Sequence, residues 1–346
     1  MRRLIQPPVI SNKYFSAARM KHFDAALEFS DRPPPISEIL RLPVTLVATA
    51  SQVYPNGGRN NTKDRLRYIL SGLATARLTA AWFKTLGEPM LASFTHLNPR
   101  ILSKLQRPYL QAGLQPTARL KVLQAHYRFA LASFAAPAFS DLLQRPGILL
   151  ADMPLDGLGC FSLRLLYANK YEKDGELTIG LHDGERKEFV LTLSFCICSF
   201  TPNPVEAFIG GLQGNQVSDQ RARIVAVTRA MHGIRPKAFL LFALQALAEF
   251  WNIDTIRAVG NENAVFRHPW LNDQGVHANY DQFWLECGGQ QDADGNFTLP
   301  ARFVPRDLST LQPAKRTLHR RRYEMLVALG ASIRQGAARI SAKPAN

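Results

Sequence analysis

Cysteine, acid near the chain ends and long apolar runs are all scarce in this sequence of 346 residues. Its four cysteines, Cys160, Cys196, Cys198 and Cys287, are too few and too oddly spaced for a disulfide framework. Cys196 and Cys198 stand two apart on a strand-like run. That spacing turns both side chains to one face but lacks the C-x-x-C geometry of redox or zinc sites, so buried free thiols are expected. The most apolar stretch, Phe239 to Trp251, is shorter than the roughly 20 residues of a membrane span and carries Gln245 and Glu249. The opening Met1-Arg2-Arg3-Leu4-Ile5-Gln6-Pro7-Pro8 has no apolar signal-peptide core. These absences point to a cytoplasmic protein, with a peripheral place at the inner membrane as the alternative. G-x-x-x-x-G-K-S/T and G-x-G-x-x-G patterns are missing, which removes P-loop and Rossmann nucleotide sites. Without a G-x-S-x-G elbow, Ser/His/Asp catalysis gains no support, and no internal repeat or low-complexity tract is present.

What the chain does have is base, unevenly placed. Residues 1–150 hold 20 Lys/Arg against 7 Asp/Glu, residues 151–300 hold 12 against 18, and residues 301–346 hold 10 against 2, giving the net +15. Two basic flanks around a mildly acidic centre do not describe a nucleic-acid coat, and nucleic acid is not the expected partner. Either flank suits an anionic membrane surface. With 46% hydrophobic residues the chain can bury a substantial core.

Helical and strand periods divide the chain. Pro7-Pro8, Pro33-Pro34-Pro35 and Pro55-Asn56-Gly57-Gly58 interrupt the first sixty residues, which are expected to form short helices joined by extended links. Leu66, Ile69, Leu70, Leu73 and Leu78 then recur at helical spacing. A second helix is predicted from Thr117 to Phe134, with Arg119, Lys121 and Arg128 turned outward. After Pro146-Gly147 the period becomes two: residues 176–182 alternate, His182-Asp183-Gly184-Glu185 supplies hairpin chemistry, and residues 189–197 alternate again. A third strand, Val205 to Leu212, contains Gly210-Gly211, which predicts a bulge or a close backbone approach. His232-Gly233-Ile234-Arg235-Pro236-Lys237 leads into an apolar helix, Ala238 to Trp251, that must be covered by more than one layer. We place it between the sheet and the N-terminal helices. Thr255 to Gly260 follows as a parallel strand, and a basic helix runs from Lys315 to Ile333.

The turn at Gly233 with Arg235 and Lys237 opens a helix, where free N–H groups and the helix dipole favour an anion. Antiparallel strands, a bulged strand, this turn, a helix, a strand and then Asn261 together resemble the acetyl-CoA-dependent N-acyltransferase superfamily, the GNAT fold. That resemblance covers about residues 160–290 and implies a splay beside the bulged strand for pantetheine and a pyrophosphate at the turn. Arg229 stands one residue too far from Gly233 for the superfamily's motif, and Arg235-Pro236 replaces its second small residue. The fold expected is α/β (α+β). An irregular segment spans 1–60, a helical layer 61–150, a mixed GNAT-like sheet 151–300, and a basic helix and tail 301–346. A broader resemblance rests on residues 171–177, 210–214, 232–237 and 280–286, on Gly288-Gly289, and on Lys315-Arg316 with Arg320-Arg321-Arg322-Tyr323. These blocks look like the VirK/YbjX family of Gram-negative bacteria. It implies links to envelope integrity, virulence and resistance to cationic antimicrobial peptides.

The leading functional expectation is an acyltransferase that moves an acyl group from acyl-CoA or another acyl thioester to a small-molecule or peptide amine. Such transfer needs a base for the amine and an acid for the leaving thiolate. Glu206 at the head of the bulged strand is the candidate base and Tyr280 the candidate acid. Gly210, Gly211, Gly233, Arg235, Lys237 and Asn261 are the candidate binding residues. The alternative is a non-catalytic scaffold whose basic flanks dock on lipid or a partner. A third reading takes His232, His277 and Asp281 as a two-histidine, one-carboxylate iron site, although scattered histidines explain them better.

Overall fold

The computed structural model describes residues 34–55, 59–199, 205–214, 219–269, 271, 279–305, 307–310 and 312–342. Pro35 caps helix α1, Ile36–Val53, whose Leu42, Leu46, Ala50 and Val53 fall at helical spacing and are buried. Part of the segment expected to be irregular is therefore an 18-residue helix. The proline run ends where the helix starts, and Pro43 is held inside it by the packing of its neighbours. Four helices follow: α2, Arg59–Ala74, α3, Ala76–Leu86, α4, Pro89–Leu97, and, after a 3-10 turn at Pro99–Gln106, α5, Pro116–Ser133. In α2 the periodic face divides. Tyr68 and Gly72 turn inward, with Gly72 admitting Leu46 so closely that a Cβ there would lie 2.8 Å from its methyl carbons, while Leu66, Leu70 and Leu73 are exposed.

Helix α6, Ala136–Leu143, leads into β1, Ile148–Leu155, β2, Gly159–Leu166, β3, Leu177–Asp183, β4, Glu188–Cys198, and β5, Glu206–Gly214, an antiparallel meander. The hairpin expected at Asp183-Gly184 joins β3 to β4, with the Asp183 carboxylate accepting the backbone N–H groups of Glu185 and Arg186. Across β4 the register shifts so that Ser194 faces Gly211 and Phe195 faces Ile209, leaving Gly210 as the extra residue of a bulge. Helices α7, Gln220–Ala230, and α8, Pro236–Phe250, then carry the chain to β6, Thr255–Ala258, which pairs parallel with β5. Helix α9, Tyr280–Glu286, precedes the hairpin of β7, Gln290–Gln291, and β8, Phe297–Leu299. The strand order is β1-β2-β3-β4-β5-β6-β8-β7.

The basic helix α10, Pro313–Ile340, lies along β1 and α8. Gly330 passes so close to α8 that a Cβ would meet the Phe242 ring at 3.3 Å. The main cover over α8 is therefore α10, not the N-terminal helices as its composition suggested; those reach the sheet through α5 on β4. Arg119 of α5 also departs from expectation. It is buried, donating to the carbonyls of Leu105 and Leu114, because the 3-10 turn and the loop after it fold over that face of the helix. Among the described residues no helix is long and apolar enough to cross a membrane.

Candidate functional site

Between β2 and β3 the chain makes a short 3-10 turn and then runs Glu172-Lys173-Asp174-Gly175-Glu176 across the sheet. The Glu176 N–H donates to the Phe195 carbonyl, extending the β3–β4 ladder, and a Cβ on Gly175 would lie 2.5 Å from that same oxygen. Anchored there, the segment buries three carboxylates, Glu172, Asp174 and Glu176.

Two of the three are matched by cations. Glu172 accepts from Arg100 at 2.7 Å and from Arg107. Burial alone would raise its pKa, but Arg107, Arg100 and Lys104 together hold it below the usual carboxylate range. Glu176 accepts from the buried Lys104 Nζ at 2.6 Å and, on its other oxygen, from the Tyr127 hydroxyl. Burial opposes the charge on Lys104, yet Glu176 and the surrounding groups keep its pKa above the ordinary lysine value. The Tyr109 and Tyr167 rings lie 5.1 and 5.0 Å from the same ammonium.

Among the described residues Asp174 forms no ion pair, and the charges of Lys173 and Lys104 only partly offset its burial. Its carboxylate carbon lies 2.8 Å from where a Gly211 Cβ would be, and its carbonyl occupies the place of a Gly210 Cβ, so the two glycines are what lets the loop reach the bulge. Gln213 Nε2 donates to Asp174 at 3.2 Å, but burial dominates and pushes the carboxyl up to about 7. Beside it stands Tyr280, the first residue of α9. Its hydroxyl accepts the Leu212 N–H at 3.3 Å, and burial and then Asp174 hold its pKa above the usual phenol value. Asp174 and Tyr280 thus flank Gly211–Gln213 on the half of β5 beyond its parallel pairing with β6, which ends at Ile209 and Ala258.

The expected residues divide accordingly. Tyr280, Gly210 and Gly211 come together at this point. Glu206 does not: it heads β5, six residues from Leu212, a separation of about 20 Å at strand rise. There it is buried 3.9 Å from Arg257, which also binds Asp292 and Asp294. Burial, only partly opposed by Arg257, brings Glu206 to about 7 as well. Asn261 serves α9, accepting the Tyr280 N–H at 2.8 Å and donating to Asn279, while its own N–H goes to the Asp281 carboxylate.

At the turn, Gly233 has φ +82° and its N–H donates to the Thr228 carbonyl at 2.7 Å, closing the C-terminal end of α7. Arg322 of α10 donates to the His232 carbonyl, Arg235 pairs with Glu286, and Lys237 Nζ lies 4.3 Å from the centre of the Phe283 ring. The Gly233 N–H and the Arg235 guanidinium are therefore engaged within the protein, while the Lys237 ammonium keeps only a ring face beside it, so the turn is at most partly open to such a group. Among the described residues no three His, Cys, Asp or Glu stand together to hold a metal, and His277 lies outside the described residues. Cys196 and Cys198 are buried free thiols, whereas Cys160 is exposed and Cys287 half-buried.

Asp174 escaped the sequence reading although the block containing it did not. The available signal was three acids at alternate positions before the strand Leu177–Asp183, every residue of which is buried. Residues 57–335 match the sequence pattern of the family described as Protein of unknown function (DUF535). Over 298 residues the chain is 30% identical to Uncharacterized protein YbjX of Escherichia coli strain K12, covering 85% of this chain and 90% of that one. Over 217 residues it is 25% identical to an Uncharacterized protein of Haemophilus influenzae, covering 63% and 70%. No solved structure gives a significant match. Since the matched region takes in the acidic loop, the bulged strand and α9, the chain belongs to the DUF535 family, in line with the YbjX-like blocks of its sequence.

Proposed function

We propose that this protein transfers an acyl group from a thioester donor to an amine at the bulge of β5, with Asp174 as base and Tyr280 as acid. The observation that carries the reading is Asp174 itself, a buried carboxyl at about 7, without an ion pair among the described residues and within electrostatic reach of Tyr280. A base with a pKa near the working pH combines a useful ionised fraction with real proton affinity. In the step, the amine nitrogen forms a bond to the thioester carbonyl carbon and loses a proton to Asp174. The carbon–sulfur bond breaks, and the departing thiolate takes the Tyr280 proton. The products are an amide and a thiol.

The strand order supports a GNAT-like scaffold: a bulged strand pairs parallel with the next through crossover helices, and the final hairpin inserts β8 beside β6. The partly engaged turn does not support a pyrophosphate anchor there, so the donor is named only as an acyl thioester. Incubation with acetyl- and longer acyl-CoAs, a simple N-acetylcysteamine thioester and a panel of amines, read by thiol release, tests this. Asp174→Asn is expected to lower turnover by about 10²–10⁴-fold. Absence of thiol release at millimolar donor, or an unaffected Asp174→Asn, removes the proposal.

A second reading, attachment to an anionic membrane surface, is favoured by a separate observation. Ile36, Leu40, Val44 and Val47 of α1 and Leu66, Leu70 and Leu73 of α2 are exposed, near exposed Arg41, Lys63, Arg67 and Arg77. Apolar side chains bordered by base suit an acidic lipid interface. Flotation with phosphatidylglycerol vesicles should recover the wild type and lose a Leu40→Ser, Val44→Ser, Leu66→Ser variant. Equal recovery of both, or equal binding to neutral vesicles, counts against it.

A further inference from the structure

A cavity of about 310 Å³ lies on the N-terminal side of the molecule, between the end of α2, the 3-10 turn, the loop 112–116 and His268. Its volume is at the lower end of the range of small-molecule sites. None of the residues lining it is acidic, and Arg119 and Gln106 form part of its wall.

Arg119 is 7% exposed and, among the described residues, has no carboxylate partner. Two of its nitrogens donate to the carbonyls of Leu105 and Leu114, and its Nε is buried with no acceptor. Gln106, 8% exposed, donates to Thr79 and leaves its Oε1 without a donor. A buried guanidinium held only by neutral carbonyls is costly, and the cost falls when an anion arrives.

A helix end adds positive potential here, and a wall histidine registers it. Gln115 caps α5 without a side-chain bond to the helix, so the positive end of that 18-residue helix stands at the cavity wall. His268 faces Arg119 and Lys173: burial first, and then these two cations, hold it below the usual histidine value, so its ring is a neutral wall group that registers their charge without adding to it. Burial likewise lowers Arg119 to about 10, which still leaves it charged at neutral pH. The other wall residues, among them Ala74, Leu105, Pro108 and Leu114, offer apolar surface for a short hydrocarbon body.

We infer that this cavity binds a small organic carboxylate, its head group on Arg119 and its apolar body against the wall formed by Leu105, Pro108 and Leu114. This site does not depend on the acyl-transfer reading, since it uses none of Asp174, Tyr280 or the β5 bulge.

Isothermal titration with hexanoate, inorganic phosphate and hexylamine tests it. Hexanoate is expected to bind the wild type, hexylamine not at all, and Arg119→Gln is expected to weaken hexanoate at least tenfold. Gly113→Phe provides a test that leaves Arg119 in place. Gly113 lines the cavity and a Cβ there meets nothing within 4 Å, so the ring should fill the space and abolish hexanoate binding in a folded protein. The inference is overturned if hexanoate does not bind at 10 mM. It is equally overturned if hexylamine binds as well, if phosphate binds more tightly than hexanoate, or if hexanoate binding survives in Gly113→Phe.

Discussion

Glu172 and Glu176 lie two residues on either side of Asp174, all three are buried, and their surroundings could hardly differ more. The outer two sit among Arg100, Arg107 and Lys104, brought from the N-terminal layer 65–72 residues away, and they tie that layer to the sheet. The middle one meets two glycines and a glutamine amide, and the nearby Tyr280 phenol feels its charge. Matched charges hold a structure together, whereas an unmatched carboxyl in an apolar place keeps its proton near neutral pH and is available for proton transfer.

Removing the cation from an outer acid should have the largest effect. Lys104→Met leaves Glu176 buried with phenol hydroxyls but without its cation, a loss expected to destabilise by about 3–5 kcal/mol, enough to unfold an ordinary domain or nearly so. Urea titration of Lys104→Met beside a Lys104→Met, Glu176→Gln double variant measures it, and the double variant should regain part of the loss. If Lys104→Met costs less than about 1 kcal/mol, the pair is not the tie between layers that its burial suggests.

Neutralising the middle acid should do the opposite. A carboxyl raised from 3.8 to about 7 on folding favours the native state only while it is protonated. Its contribution is whole below about pH 4, is lost as pH rises toward 7, and stays lost above that. Asp174→Asn should therefore flatten the decline in stability between pH 4 and 7. At pH 8 it should stabilise by on the order of 2–4 kcal/mol, even as the proposed activity disappears. Chemical denaturation at several pH values checks the slope, and a variant less stable than wild type at pH 8 would show Asp174 to be ionised and well solvated.

How far the sequence spoke for itself follows the same division. Local periods declared the β3–β4 hairpin, the bulge at Gly210, α8 and the parallel β6, because alternation, turn residues and a glycine pair act over a few positions. Helix α1 was hidden by a proline run just before it and by Pro43 inside it, and the burial of Arg119 depends on a loop folding over a helix face that looked polar. The charge partners were out of reach for a similar reason. Nothing in the spacing of Lys104 tells that it meets Glu176, so acids that look alike in the sequence acquire different roles only in three dimensions. Tyr280 was legible as a candidate acid, but neither the short helix it opens nor the carboxyl near it was.

The smallest effect is the sharpest test of that last point, because it concerns the other raised carboxyl on β5. Glu206 also reaches about 7, and by pKa alone it is as good a base as Asp174. Geometry separates them: Glu206 is at the opposite end of the strand and belongs to the Arg257 network with Asp292 and Asp294. Glu206→Gln leaves Arg257 two carboxylates, and the group's partial contact with solvent damps what its titration contributes. The expected change in stability is about 1 kcal/mol or less, with a weaker decline between pH 4.5 and 7 than in wild type, since a raised carboxyl loses its favourable contribution across that window. Thiol release by Glu206→Gln should stay within about threefold of wild type, where Asp174→Asn loses it. A reversal, with Glu206→Gln inactive and Asp174→Asn intact, would move the proton acceptor to the head of the strand and require the acyl donor to approach from the β6–β8 side.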